Sequence, residues 1–385
     1  MSHSIRWTLY GALAACCAVA SATVRADGPP PMLVPLPPVD AEEIPAPPPA
    51  PLPRPESPDE LYPAVESTGS TCEMCGQGST SCCEACRNTT RLGRLLRGIH
   101  RGLCCPDPCY NPKWTPLADA AFFTTAVRPT NQQRFRWDFA EDLNQPDRAE
   151  FFWARADGNG AGPNPNPQIA FRGVDYDELT HYVEAAQGAV GVWFEYSYRS
   201  LDADGRHFAG FGDMTTGAKT LLFDTELMQF AFQMKTFIPQ GSPGKGLGTG
   251  HVSLEPGFVW GLRLSDRAFM QAELNEWIPL GGNDVYAGAL LRYNVALNRE
   301  LFRLPSGVLI MGVGELNGWR FQDGMFTDPT LGALRPASGD TYLNTGGGVR
   351  MYFCDRADFG VSGSFAITDE AWAQSTVRTE IRFRY

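Results

Sequence analysis

The sequence predicts an all-β fold: an antiparallel transmembrane β-barrel of about 12 strands, preceded by a Pro-rich disordered spacer and a small Cys-rich segment. Three observations predict it. From about residue 134 onward, apolar and polar residues alternate with period two in stretches of roughly ten to fifteen residues broken by short turns, as strands with one dry and one wet face require. Most of those stretches match or exceed the roughly nine to eleven residues of a tilted membrane-crossing strand, where soluble strands average about five or six. The composition, 40 Gly and 31 Pro with 19% charged residues, suits a turn-rich β chain, and outside the N-terminus no apolar run approaches the length of a membrane helix.

In chain order, residues 1–26 read as a signal peptide: Arg6, an apolar stretch from Trp7 to Ala20, and a Val24-Arg25-Ala26 cleavage pattern. Leu13-Ala14-Ala15-Cys16 also fits a lipoprotein box that would acylate Cys16, although the residues after it stay apolar. Residues 27–70 form the Pro-rich linker. Fifteen of the 31 prolines lie between Pro29 and Pro63, and such a segment neither donates ladder hydrogen bonds nor buries a core. Segment 71–110 holds eight cysteines: Cys72, Cys75, Cys82, Cys83, Cys86, Cys104, Cys105 and Cys109. Cys72, Cys75, Cys83 and Cys86, with His100 nearby, have the spacing of a zinc site. In an exported chain a disulfide framework is the expected use of an even set, and spacing does not choose among its pairings. Within it, Thr90–Arg101 sets Leu92, Leu95, Leu96 and Ile99 on one helical stripe and Arg94, Arg97 and Arg101 on another. Residues 111–133 are a connector, and 134–385 the barrel.

Thirteen strand-like segments follow, near 134–140, 149–156, 178–186, 189–199, 209–223, 226–239, 251–264, 267–278, 284–298, 306–320, 341–354, 357–367 and 372–385. Single-chain bacterial barrels have an even strand number, so twelve are expected, with one of the first two segments a loop or plug. Alternation fixes the faces. Val190, Val192, Phe194, Tyr196 and Tyr198 oppose Gly191, Glu195, Ser197 and Arg199, and Met228, Phe230, Phe232, Met234 and Ile238 oppose Gln229, Ala231, Gln233 and Lys235. Val285, Ala287, Ala289, Leu291, Tyr293, Val295 and Leu297 oppose Tyr286, Gly288, Arg292, Asn294 and Asn298, and Val377, Ile381, Phe383 and Tyr385 oppose Gln374, Thr376, Arg378, Glu380, Arg382 and Arg384. Outward aromatics expected at the interfaces are Tyr196, Tyr198, Trp260, Trp277, Tyr293, Tyr352, Trp372 and Tyr385. Cys354 reads as a packed small side chain in a strand.

The expected lumen carries Lys219, Lys235, Arg292, Arg350, Arg378, Arg382 and Arg384 with Glu184, Glu195, Glu273 and Glu380. On the lipid face a Lys or Arg would cost about 2–4 kcal/mol at mid-bilayer. Inside, such charges tune the selectivity of a pore or cross-link a closed lumen, and the sequence leaves both open.

Gly210-Phe211-Gly212-Asp213 with Lys219, Phe237-Ile238-Pro239-Gln240-Gly241, Gly248-Thr249-Gly250 and Pro256 resemble the barrel repeat of outer-membrane proteins grouped under the meta-pathway of phenol degradation. The Pro-rich lead, the Cys cluster, Cys109-Tyr110, Trp114 and Phe135-Arg136-Trp137-Asp138 are similar to uncharacterised exported proteins of planctomycete bacteria. The final strand, ending Ile381-Arg382-Phe383-Arg384-Tyr385, resembles the signal read by the barrel-assembly machinery, without the glycine often found inside it. The resemblance implies an outer-membrane barrel with its N-terminal segment periplasmic, a pore for small or hydrophobic molecules, and no enzyme.

Other chemistry is thinly represented. Gly241-Ser242-Pro243-Gly244-Lys245-Gly246 brushes against a phosphate-binding loop, but Gly246 stands where Ser or Thr belongs. The five histidines are scattered, and His181, His207 or His251 beside an Asp or Ser is the weak case for catalysis on a barrel rim. A net charge of −11 argues against a nucleic-acid partner. No cofactor is expected. The expected partners are the lipid bilayer, the barrel-assembly machinery through the strand ending Tyr385, and a cell-wall layer. The porin-like channel has two rivals, a structural envelope protein without transport and a soluble exported β-domain that binds a ligand.

Overall fold

The computed structural model describes residues 116–143, 162, 174–203, 205–328, 333–354, 356–369 and 371–385, all within one compact unit of the chain. The signal peptide, Pro-rich linker, cysteines 72–109, helix 90–101 and strand segment 149–156 lie outside the described residues.

Twelve antiparallel strands close into a barrel. They are β1 (Gln132–Leu143), β2 (Val174–Gln187), β3 (Val190–Ala203), the pair β4 (Arg206–Phe211) and β5 (Met214–Asp224), β6 (Met228–Ile238), β7 (Ser253–Ser265), β8 (Ala268–Pro279), β9 (Leu290–Arg303), β10 (Leu309–Phe321), β13 (Thr341–Cys354), β14 (Ala357–Ala366) and β15 (Ala373–Arg384). β4 and β5 both pair with β3 and are one strand interrupted at Gly212-Asp213. Closure is the pairing of β1 with β15, which sets Phe135 opposite Ile381 and Asp138 opposite Arg378. A small hairpin of β11 (Met325–Thr327) and β12 (Leu334–Pro336) projects between β10 and β13.

The two ends differ. At one, the strands are joined by residues 188–189, 225–227, 266–267, 304–308 and 355–356, and β1 begins and β15 ends there. At the other lie the longer connections 239–252, 280–289, 322–340 and 367–372. Short turns at one end and long loops at the other are the asymmetry of outer-membrane barrels.

Apart from Gln374, which is exposed beside the buried Ala373 at the start of β15, the faces expected from alternation within the strands are the faces observed. Phe135, Trp137, Leu179, Val192, Phe194, Phe258, Leu274, Val295, Leu316, Val349, Val361 and Val377 are large, apolar and exposed, while Gln229, Gln233, Gln271, Asn275, Asn298, Arg350, Glu380 and Arg382 are buried inside. The distribution is that of a soluble protein turned inside out. Exposed apolar faces on this scale need an apolar environment to cover them.

Three aromatic placements and one boundary depart from expectation. Trp277 and Tyr352 point inward and are buried. At the loop end the lumen is lined by Leu143, Leu201, Trp277, Leu290, Phe321 and Tyr342 with Leu247 and Phe326 from infolded connections, so an inward tryptophan there meets apolar neighbours. Trp372 precedes β15 and packs on Trp319 and Tyr176, with ring centroids 5.7 and 6.0 Å away. Segment 285–289 is loop, because the Asn283 carbonyl accepts the N–H groups of Tyr286 (3.1 Å) and Ala287 (2.8 Å) and curls the chain into a turn before β9 begins.

Candidate functional site

The interior is divided along its axis, and the segment before β1 makes the division. Residues 116–131 enter the turn-end half of the lumen as a plug, starting with a 3-10 turn at Leu117–Asp119. The sequence gives this stretch no strand or helix pattern, and it is held through its backbone. Arg350 donates from Nε to the Ala120 carbonyl (3.0 Å) and from Nη2 to Ala121 (3.3 Å), and Arg378 from Nη1 to Phe122 (2.6 Å). The N–H groups of Phe122, Phe123 and Thr124 converge at 3.1 Å on the carboxylate of Glu315. Thr125 N–H donates to Glu273 (2.8 Å), the Ala126 carbonyl accepts from Lys219 (2.7 Å), and Thr130 N–H donates to Glu184 (3.2 Å). The contacts run around the wall from β13 and β15 through β10, β8 and β5 to β2, so the plug crosses the whole section.

Side chains seat it. Phe122 lies against Gly348 and Gly360, where an added Cβ would come within 2.6 Å of the ring in each case, so only glycine admits the phenylalanine. Asp119 bonds Arg382 Nη1 and Arg384 Nη2, each at 2.8 Å. Burial alone would raise the pKa of this carboxyl, but Arg382, Arg384 and Arg350 outweigh it and hold the group below the ordinary carboxylate range. Tyr352, inward beside them, donates its hydroxyl to the Asp119 carbonyl at 3.0 Å.

Above the plug lies a cavity of about 260 Å³. Phe122, Phe123, Thr124 and Thr125 form its floor, and its walls carry Arg134, Arg136, Arg199, Lys219, Lys235, Arg292 and Arg378 with Glu178, Glu195, Asp213 and Glu273. Lys235 (2.7 Å) and Arg292 (2.9 Å) converge on the buried Glu255. Arg378 binds both oxygens of Asp138 at 2.7 Å, and Arg136 reaches the same carboxylate at 3.2 Å. Arg134 lies 3.7 Å over the Tyr182 ring.

Among the lumen charges expected from sequence, Lys219, Lys235, Glu273, Arg292 and Arg378 line this cavity. Arg350, Glu380 and Arg382 lie nearer the turn end in a buried lattice with Asp358: Arg350 pairs with Asp358 at 2.7 Å and Glu380 at 2.9 Å, and Arg382 with Asp358 at 2.8 Å. Arg134, Arg136, Glu255, Glu315 and Asp358 were not among the expected lumen charges, although Arg136 belongs to a motif quoted for the resemblance. Period-two alternation places each on the inner face, which was the available signal.

Part of the motif behind the family resemblance meets at one point, while Lys219 reaches the plug and Pro256 lies within β7. Asp213, at the break between β4 and β5, accepts the Gly241 N–H (3.1 Å) and the Thr249 N–H (2.9 Å), drawing loop 239–252 over the loop end. Gly248 is required there, since a Cβ would lie 2.2 Å from an Asp213 oxygen. Lys245 sits in a 3-10 turn, Pro243–Lys245, inside this loop. His181 lies on the outer face, stacked at 4.4 Å on Phe135, whereas His207 is exposed beside Asp202 and His251 is buried near Trp277, so the three are on separate surfaces.

No family model matches the sequence, and comparison with curated proteins gives no match. Among solved structures the chain is similar to an outer-membrane channel from Pseudomonas putida F1, at 8% identity over 69% of this chain and 99% of that one with a TM-score of 0.45. It is also similar to the NanC porin (5% identity, 66% and 98% covered, TM-score 0.40) and to the β domain of the Bordetella autotransporter BrkA (11%, 67% and 100%, 0.40). Likenesses this remote say nothing about what the chain binds or passes.

Proposed function

We propose that this chain is an outer-membrane β-barrel that passes small solutes, with residues 116–131 as an internal plug that sets the width of the path. One observation carries the reading: a closed twelve-strand cylinder whose exposed outer face is apolar and whose interior is polar and charged. Lipid covers the first and water fills the second. The turn end, where β1 starts and β15 stops, faces the periplasm together with the N-terminal segment, and the long loops face outward. The final strand is the element offered to the assembly machinery, and the reading assigns no catalysis.

The test is single-channel recording in planar bilayers with refolded full-length protein whose gel mobility shifts on heating. Discrete conductance steps are expected. Well-folded, inserted protein without steps would overturn the pore. The plug, by filling the turn-end half of the lumen, favours a second reading, an envelope anchor without transport, and that outcome would establish it. The expected cell-wall partner belongs to this second reading.

A further inference from the structure

We infer that the cavity above the plug is a binding site for a small organic anion bearing carboxylates, and therefore that the solutes passed are of this class; the second clause rests on the pore reading, the first does not. The argument starts from which charges of the wall are already committed. Glu178 accepts from Arg199 at 2.6 Å. Asp213 is turned to the loop backbone at Gly241 and Thr249. Glu273 accepts the Thr125 N–H at 2.8 Å and Asn294 Nδ2 at 2.6 Å. These acids are engaged by the fold itself.

The cations are engaged less completely. Arg136 and Arg378, on the adjacent strands β1 and β15, divide one carboxylate, Asp138, with Glu195 a further 3.6 Å neighbour of Arg136. Arg134, two residues before Arg136 on the same inner face, has no ion pair among the described residues. Its guanidinium lies over the Tyr182 ring, and its Nε is buried without a hydrogen-bond partner. A guanidinium carries five donors, and a single one buried without a partner already costs free energy. Across the lumen, Lys235 on β6 and Arg292 on β9 converge on Glu255 and line the same cavity. Two cationic walls thus face one another across a small space.

Arginine forks match carboxylates in a bidentate way. Trp193, Phe237, Trp319 and Trp372 on the same walls suit a carbon skeleton, which inorganic phosphate lacks. The geometry therefore favours an organic polycarboxylate over a bare inorganic anion or a neutral molecule.

Citrate is the probe. Tryptophan fluorescence of the full-length barrel in detergent is titrated with citrate at constant ionic strength, with inorganic phosphate and glycerol in parallel. Saturable quenching by citrate is expected, weaker by phosphate and absent with glycerol. Arg134→Gln strands no paired carboxylate and should weaken citrate by about tenfold or more while heat-modifiable mobility is retained. Equal responses to citrate and glycerol, or citrate affinity unchanged in folded Arg134→Gln, would overturn the site. Bilayer recordings separate the two readings. Saturable citrate binding without conductance removes the pore and leaves the site, whereas conductance that prefers potassium over chloride and ignores citrate removes the site and leaves the pore.

Discussion

Replacing Glu315 with alanine should open the barrel, and the size of the effect follows from three hydrogen bonds. The carboxylate receives the N–H groups of Phe122, Phe123 and Thr124 at 3.1 Å from consecutive plug residues, in a buried position. A hydrogen bond to a charged group contributes about 1.5–3 kcal/mol, and a buried donor left without its acceptor costs about 1–3 kcal/mol. The three bonds share one carboxylate and are not additive, so about 3–5 kcal/mol lost from docking is a reasonable sum. Each 1.4 kcal/mol being about tenfold, the docked-to-released ratio should fall by roughly two to three and a half orders of magnitude. Glu315 contributes nothing to the lipid face, so the variant should still fold and insert. Planar-bilayer recording of wild type and variant then shows wider or more frequent open states in the variant. Identical conductance and open probability in the two would refute the plug's dependence on this carboxylate.

Gly360→Ala places a Cβ about 2.6 Å from the Phe122 ring and should raise conductance; Phe122→Ala in the same chain should restore the wild-type level, measured as a double-mutant cycle, and additive effects would sink the contact. Val295→Arg, outward in the middle of β9, should cost about 2–4 kcal/mol and lower the yield of heat-modifiable protein in liposomes, whereas Gln233→Arg, inward at the cavity, should insert normally; equal yields would contradict the face assignment. Asp119 is held below the ordinary carboxylate range, so its contribution to docking is full above about pH 4 and is lost as pH falls from there through its folded value. Conductance should stay flat down to about pH 4 and rise below it, and Asp119→Asn should conduct more at neutral pH and lose that Asp119-linked rise.

Period two made most of the barrel legible. Alternation at Val190–Arg199 or Met228–Ile238 reports the boundary between lipid and lumen directly, because a one-residue slip would expose every inner polar group to the bilayer. The closing pair was legible for the same reason, since β15 shows apolar residues at Val377, Ile381 and Phe383. Trp277 and Tyr352 were misplaced because an aromatic residue suits a membrane interface as well as an apolar lumen cap, where Trp277 sits, or an arginine cluster on the plug, where Tyr352 sits, and only strand parity separates them. The start of β9 was misplaced because Val285, Ala287 and Ala289 continue the alternation into a turn set by one asparagine carbonyl. Residues 116–131 were opaque for a different reason. A segment bound through its own N–H and C=O groups leaves almost no trace in side-chain pattern. The trace it did leave was across the barrel, as inward Glu315, Glu273, Arg350 and Arg378 set on strands far apart in sequence.

That trace also explains the charge balance of the lumen. Glu315 and Glu273 receive backbone N–H groups of the plug, and Arg350 and Arg378 give hydrogen bonds to its carbonyls. A peptide segment is neutral, so it satisfies both signs without cancelling either. Glu315 and Glu273 are occupied by plug N–H groups, while Arg136 turns to Asp138 and Arg134 to the Tyr182 ring. Release of the plug would strip partners from both signs at once, Glu315 and Glu273 on one side and Lys219, Arg350 and Arg378 on the other, so the net charge of the wall does not depend on docking.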